Sequence, residues 1–71
     1  MRKYFIVPED IALANTGRTN GSQGLMFVKD LQGRWVVNIG VAEMWDDIPW
    51  NTFEQVELGP DDFMNEEEGL R

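Results

Sequence analysis

Residues 25–41 read LMFVKDLQGRWVVNIGV, two apolar runs separated by the four residues 30–33. Aromatic and β-branched residues favour strands, and Gly33 can adopt the positive φ that closes a four-residue hairpin loop. The stretch therefore predicts a β-hairpin with strands at 25–29 and 34–41. Alternation along the second strand places four apolar side chains on one face, the expected core face: Trp35, Val37, Ile39 and Val41.

Before this hairpin, the sequence predicts a strand and a short helix. Residues 3–7 form an aromatic and β-branched run, which Pro8 ends because proline has no N–H to donate to a continuing ladder. Pro8 also suits the start of a helix, since the acids at 9 and 10 lie near its positive N-terminal end. We expect the helix to extend to residue 14. Residues 15–24 contain three glycines and no apolar side chain, and we expect a mobile loop or an unusually long turn there.

After the hairpin, residues 53–58 predict a weaker strand. Glu54 and Glu57 suit the edge of a sheet, because charged side chains discourage pairing with foreign strands. Gly59 and Pro60 end this strand, and a proline followed by two acids predicts a one-turn helix. Residues 65–71 include three consecutive glutamates and are expected to be an acidic, disordered tail.

Together these elements predict one small α+β domain over residues 1–64. It would have a three- to four-stranded antiparallel sheet and one or two short helices. If residues 42–47 form a helical turn, the order becomes βαββαβ, the ferredoxin-like arrangement, which is the alternative.

Charge is distributed unevenly along the chain. Residues 43–71 contain ten carboxylates against one arginine, a net charge of −9, whereas residues 1–42 contain five basic and three acidic residues, a net charge of +2. A lopsided potential of this kind steers cationic partners toward one part of a molecule. The distribution therefore indicates the charge of a partner.

The composition also disfavours several kinds of chemistry. The chain has no cysteine and no histidine, so no disulfide or thiolate or imidazole metal site can form. The commonest general base and the most reactive nucleophile are missing too. The C-terminal acids lack EF-hand spacing, and the glycines at 17–24 match no nucleotide-binding fingerprint. We expect no enzyme, no cofactor and no metal, with catalysis by a carboxylate pair kept as a third hypothesis.

The segment 44–50, MWDDIPW, is the strongest candidate for a binding site. Tryptophan is enriched at interface hot spots, nearby acids add charge complementarity, and methionine makes adaptable apolar contacts. One interpretation is an exposed binding loop; the other folds one or both indoles back over the sheet. The predicted partner-binding residues are Met44, Trp45, Asp46, Asp47, Trp50, Asp61 and Asp62.

These features predict a small acidic protein-binding module whose partner has a basic surface, such as a nucleic-acid-binding groove. Small acidic chains of this kind are common among phage- and mobile-element-type inhibitors. Direct nucleic-acid binding is not expected, because the net charge of −7 opposes approach to phosphates. No apolar run reaches the roughly 18 to 20 residues that cross a membrane, so we expect a cytoplasmic protein. The alternative is a structural or accessory protein that self-associates, as a homodimer, through its sheet edge or tryptophan loop.

Overall fold

Six strands and three short helical elements make up residues 1–64, the part of the chain that the computed structural model describes. In chain order they are β1 (Arg2–Val7), α1 (Glu9–Asn15), β2 (Arg18–Asn20), β3 (Gln23–Leu25), β4 (Val28–Lys29), β5 (Trp35–Asn38), α2 (Ile39–Ala42), a 3₁₀ turn (Trp50–Thr52) and β6 (Gln55–Leu58). The predicted acidic tail, 65–71, lies outside the described residues.

Four of the strands form an antiparallel sheet in the order β4-β5-β1-β6, and β2 and β3 form a separate two-stranded sheet. The expected small α+β fold with an antiparallel sheet is confirmed. When the β2–β3 hairpin is set aside, the remaining elements follow one another as βαββαβ, the element order of the ferredoxin-like alternative. Strand β1 therefore lies inside the sheet, between two strands that come later in the chain.

The predicted hairpin is formed by β4 and β5, where Val28 lies opposite Val36 and Lys29 opposite Trp35. Its loop closes at Gly33, which has a φ of 78°. Asp30 organises the loop, because its Oδ1 accepts the backbone N–H groups of Gln32 and Arg34 at 3.0 and 2.9 Å. Its Oδ2 accepts Nε of Arg34 at 2.8 Å and lies 2.7 Å from Nη2 of the same guanidinium.

Both predicted hairpin strands are shorter in the structure. The strand predicted at 34–41 ends at Asn38, whose side-chain Oδ1 accepts the N–H of Gly40 at 2.8 Å and caps α2. Asparagine is a favoured N-cap because its side chain satisfies an N–H that the first helical turn leaves unpaired. The strand predicted at 25–29 is interrupted at residues 26–27, so its beginning belongs to β3 and its end to β4.

Two other local predictions were wrong. Residues 15–24, expected to be a mobile loop or a long turn, contain β2 and most of β3, paired from Arg18 opposite Leu25 to Asn20 opposite Gln23. Gly21, with a φ of 66°, lies in the turn between these strands. No helix follows Pro60 within the described residues; instead the Asp62 carboxylate accepts the N–H of Gly59 at 2.7 Å and holds a turn.

The main core lies on one face of the four-stranded sheet. Phe5 and Val7 of β1 point into it together with Val37 of β5, and Trp35 packs against it, as the alternation predicted. Ile39 and Val41, predicted on the same strand face, pack against the core from α2 instead. Segments outside this sheet cover the face with buried apolar side chains: Ala12, Leu25, Phe27, Ala42, Trp45 and Ile48. No helix in residues 1–64 has the length and apolar character needed to cross a membrane.

The opposite face of the sheet is crossed by the segment that follows β6. Phe63 packs edge-on against Tyr4 of β1, with 5.4 Å between ring centroids. The same segment reaches the outer edge of β4, where the N–H of Met64 donates to the carbonyl of Lys29 at 2.9 Å. Phe63 forms a backbone bridge with Asp30 there. Val36, fully buried, lies on this second face.

We expect Asp30→Ala to lower the free energy of unfolding by about 2–3 kcal/mol, because it removes several hydrogen bonds to a buried charged group. Asp30 is 1% exposed, and the substitution leaves the loop N–H groups and the Arg34 guanidinium without their acceptor. Urea unfolding followed by tryptophan fluorescence measures the change. The exposed Asp61→Ala serves as the control and should stay within about 0.5 kcal/mol of the unmodified protein.

The same variant should show a defined pH dependence. Burial by itself raises the pKa of Asp30, but the hydrogen bonds and charge of Arg34, with the N–H of Gln32, outweigh it and hold the pKa below its ordinary value. A lowered native pKa stabilises the fold above the ordinary aspartate pKa, and this stabilisation is lost as the pH falls through the native value. The difference between the unmodified protein and Asp30→Ala should therefore shrink on acidification. A difference that grows would contradict this assignment.

Candidate functional site

The connection between α2 and β6 contains most of the predicted partner-binding residues. Its first part continues in helical turns, since the N–H of Met44 donates to the carbonyl of Val41 and that of Trp45 to Ala42. These turns direct the Trp45 side chain inward, where it is 5% exposed and belongs to the core with Ile48. The exposed-loop interpretation was therefore wrong for Trp45, and the interpretation in which the indole covers the sheet is correct.

Trp50 closes the same connection from its other end. Its Nε1–H donates to the carbonyl of Trp45 at 2.6 Å. Its ring stacks on Phe5 with 5.4 Å between centroids and on Phe27 with 6.4 Å. Phe53 meets the ring edge-on at 6.0 Å. Trp50 is half-buried, so most of its aromatic surface is used inside the protein.

Around Trp45 the chain presents an acidic loop, by which we mean residues 43–47. On either side of the inward-pointing Trp45, the residues Glu43, Met44, Asp46 and Asp47 are exposed, and Met44 has 45% of its surface accessible. The loop thus combines three carboxylates with one flexible apolar side chain.

The β2–β3 hairpin lies beside the acidic loop and contributes a residue that the sequence did not suggest. Arg18 Nη2 lies 2.9 Å from Asp47 Oδ2, and its Nη1 donates to the other carboxylate oxygen at 3.3 Å. Nη1 also donates to Oδ1 of Asn15 at 2.9 Å. Arg18 and Asp47 are 29 positions apart, so no local pattern could have paired them.

The acidic loop is therefore only partly neutralised. The pKa of Asp47 lies below its ordinary value, mainly because Arg18 donates a hydrogen bond to the carboxylate and also because of the Arg18 charge. Glu43 and Asp46 make no ion pair within residues 1–64. The Arg18–Asp47 pair is exposed, and it orients one of the three carboxylates of the loop.

Asp61 and Asp62, the remaining predicted site residues, lie elsewhere. The Asp62 carboxylate accepts the Gly59 N–H, and its backbone carbonyl accepts the Leu31 N–H at 3.0 Å. The next residue, Phe63, packs on Tyr4, whereas Trp50 stacks on Phe5. Consecutive residues of a strand point to opposite faces of its sheet. The two groups of acids therefore belong to segments that pack on opposite faces, and the structure does not bring them together.

No group of three acidic side chains in residues 1–64 has an arrangement that could hold a metal ion. Comparison with protein-family models, with curated proteins and with solved structures found no match to this chain.

We expect Trp50→Phe to lower the free energy of unfolding by about 1–3 kcal/mol, because it removes one neutral hydrogen bond and part of the packed ring. Phenylalanine can still stack on Phe5, but it cannot donate to the carbonyl of Trp45. Chemical denaturation measures the loss. Met44→Ala, at an exposed position of the same loop, should change stability by less than about 0.5 kcal/mol, and a larger effect there would contradict the outward placement of Met44.

We expect Arg18→Ala to raise the pKa of Asp47 toward its ordinary value. The substitution removes both the hydrogen bond and the positive charge that favour the ionised carboxylate. Carboxyl-carbon NMR titration reports this pKa directly. Lys29→Ala is the matched control, because Lys29 lies over the Trp35 ring at 4.9 Å and makes no ion pair with Asp47. An Asp47 pKa unaffected by Arg18→Ala would show that the ion pair is absent in solution.

Proposed function

We propose that this protein is a small acidic binding module that presents its acidic loop to a basic surface on a partner protein. The observation that carries the proposal is the way in which the buried Trp45 and the half-buried Trp50 fix an exposed, negatively charged loop. Trp45 is buried in the core and Trp50 is hydrogen-bonded to the Trp45 carbonyl, so the residues between them are held from inside the domain.

A loop that is held in place is suited to binding. Ordering a flexible loop on association costs roughly 0.5–1.5 kcal/mol for each immobilised side chain, so prior ordering increases affinity. Here the backbone on both sides of Asp46 and Asp47 is tied to the core, and Arg18 further orients Asp47. Met44 adds an apolar contact among the charges, which supplies contact energy that exposed ion pairs alone do not.

The charge of the whole chain supports the same partner. Residues 1–64 contain ten acidic and five basic residues, which gives −5, and the full chain carries −7. A negative potential accelerates encounter with a positive surface and repels other acidic proteins. Clustered lysine and arginine side chains are characteristic of grooves that bind nucleic-acid phosphates. We therefore propose such a groove as the docking site, and competition with nucleic acid, hence inhibition, as the consequence.

Self-association through the two tryptophans of the segment 44–50 has less support. The Trp45 indole is inside the domain, and most of Trp50 is in contact with Phe5, Phe27 and Phe53. Neither ring offers a large exposed aromatic surface to a second copy.

A charge-reversal experiment tests the proposal. The double variant Glu43→Lys with Asp46→Lys changes two exposed loop carboxylates that make no ion pair within residues 1–64. Immobilised protein is incubated with cell extract, and retained proteins are released by a salt gradient and identified by mass spectrometry. We expect basic nucleic-acid-binding proteins to elute by roughly 0.5 M salt, where the screening length falls to about 4 Å. The double variant should no longer retain them.

The control variant is Glu9→Lys with Asp61→Lys, which changes the net charge by the same amount at exposed positions outside the acidic loop. It should retain the partner. If loop and control variants lose the partner equally, binding depends only on overall charge; if both retain it, the acidic loop is not the contact surface. Either result would overturn the proposal.

A further inference from the structure

The two edges of the four-stranded sheet differ. At β4, the segment containing Phe63 and Met64 occupies the outer edge: Met64 N–H donates to the Lys29 carbonyl at 2.9 Å, and Leu31 N–H donates to the Asp62 carbonyl at 3.0 Å. At the other side, β6 pairs with β1 alone, and no described residue pairs with its outer edge. Edges with unpaired backbone groups can accept an additional strand.

The register shows which backbone groups β6 offers. Ile6 N–H donates to the Glu54 carbonyl at 2.8 Å, so the backbone groups of residue 54 face β1. In an antiparallel pair the backbone groups of successive residues alternate in direction. Val56, opposite Tyr4, therefore also faces β1, whereas the N–H and C=O groups of Gln55 and Glu57 point away from the sheet. Both residues are exposed.

A shallow recess lies at this edge. It has a volume of about 240 Å³ and is lined by Lys3, Gln55, Val56 and Glu57. The recess thus includes the two residues with outward backbone groups and the valine between them. It gives an added strand a surface to contact besides the backbone hydrogen bonds.

The side chains around this edge define what kind of strand fits. Gln55 and Glu57 are polar and exposed on one face, while half-buried Val56 lies on the other face next to Tyr4. Glu57 is directly opposite Lys3 of β1. A lysine on the added strand would place Glu57 between two positive side chains, and opposite charges on neighbouring strands are favourable. An apolar residue next to this lysine on the added strand would lie on the other face and pack beside Val56.

The same charges disfavour a second copy of this protein. Pairing β6 with β6 of another molecule brings Glu54 and Glu57 of both chains along one interface. Like charges on adjacent strands are destabilising, and glutamates on edge strands are a known means of preventing such pairing.

We propose that the outer edge of β6 accepts an extended segment of a partner protein in which basic and apolar residues alternate, as a fifth strand of the sheet. Main-chain hydrogen bonds to Gln55 and Glu57 provide affinity, and the alternating side chains provide specificity. This surface is built from other residues than the acidic loop, and it does not depend on the function proposed for that loop.

Amide hydrogen exchange followed by NMR tests this directly. The probe is a synthetic seven-residue peptide in which lysine and valine alternate, and the comparison is the same peptide with glutamate in place of lysine. In the free protein, we expect the outward amides of Gln55 and Glu57 to exchange faster than the inward amide of Val56. Saturating lysine peptide should slow exchange at Gln55 and Glu57 by at least about tenfold, a change that corresponds to roughly 1.4 kcal/mol of protection. The glutamate peptide should produce no protection.

Glu57→Lys provides a second test that does not rely on loss of binding alone. This substitution should lower the affinity of the lysine peptide by about two- to fivefold, as expected for one cross-strand charge pair. It should also allow the glutamate peptide to bind. Glu9→Lys changes the net charge equally at an exposed position off this edge and should leave the lysine peptide's affinity unchanged. Peptide binding without protection at Gln55 and Glu57, equal weakening by both variants, or no binding at millimolar peptide would overturn the proposal.

Discussion

Strand β1 is hydrogen-bonded on both sides, and the alternation of its side chains determines where the later segments pack. Phe5 and Val7 face the main core and receive α1, α2 and the indole of Trp50. Tyr4 faces the other way and receives Phe63. Because neighbouring residues of a strand cannot share a face, segments held by Phe5 and by Tyr4 are separated by the thickness of the sheet. The acidic residues are divided into two groups because Phe5 and Tyr4 lie on opposite faces of the sheet.

The domain has no disulfide and no metal ligand of the cysteine or histidine type, so its stability depends on packing and on well-satisfied polar groups. Two contacts illustrate this. The stacked rings of Phe5, Trp50 and Phe27 join the sheet to the connection before β6 and to the residues before β4. Asp30, almost fully buried, joins the hairpin loop to Arg34 and to the backbone bridge with Phe63. The Trp50 ring thus connects segments distant in sequence, whereas Asp30 holds its own loop through its side chain and meets Phe63 through its backbone.

The indoles also link stability to the surface available for binding. A tryptophan at an interface contributes energy by direct contact, whereas here Trp45 and Trp50 act from beneath the loop and control which of its residues are exposed. The acidic loop, the β6 edge and the covered β4 edge are three distinct surfaces, each set by a different packing or pairing contact. A partner that uses one of them need not disturb the others.

Local chemistry in the sequence was sufficient to predict the strand and helix around Pro8, the β4–β5 hairpin with its glycine, the charged edge strand and the α+β class. These features depend on residues close together in the chain. The sequence also indicated the acidic residues of the loop, including the exposed Asp46 and Asp47. Asn38 could have signalled the end of β5, since asparagine is a common helix cap, but the apolar alternation through residue 41 favoured a longer strand.

Only the tertiary structure decided whether the indoles face solvent, which residue pairs with Asp47, and on which side of the sheet each acid lies. The local sequence around Trp45 is compatible with a buried or an exposed indole. Which of the two is adopted depends on the space between the sheet and the helices. Arg18 reaches Asp47 only because the glycine-containing segment 15–24 folds into a hairpin beside the acidic loop. Periodicity and local propensity describe short stretches of chain, whereas these contacts arise from the packing of segments that are distant in sequence.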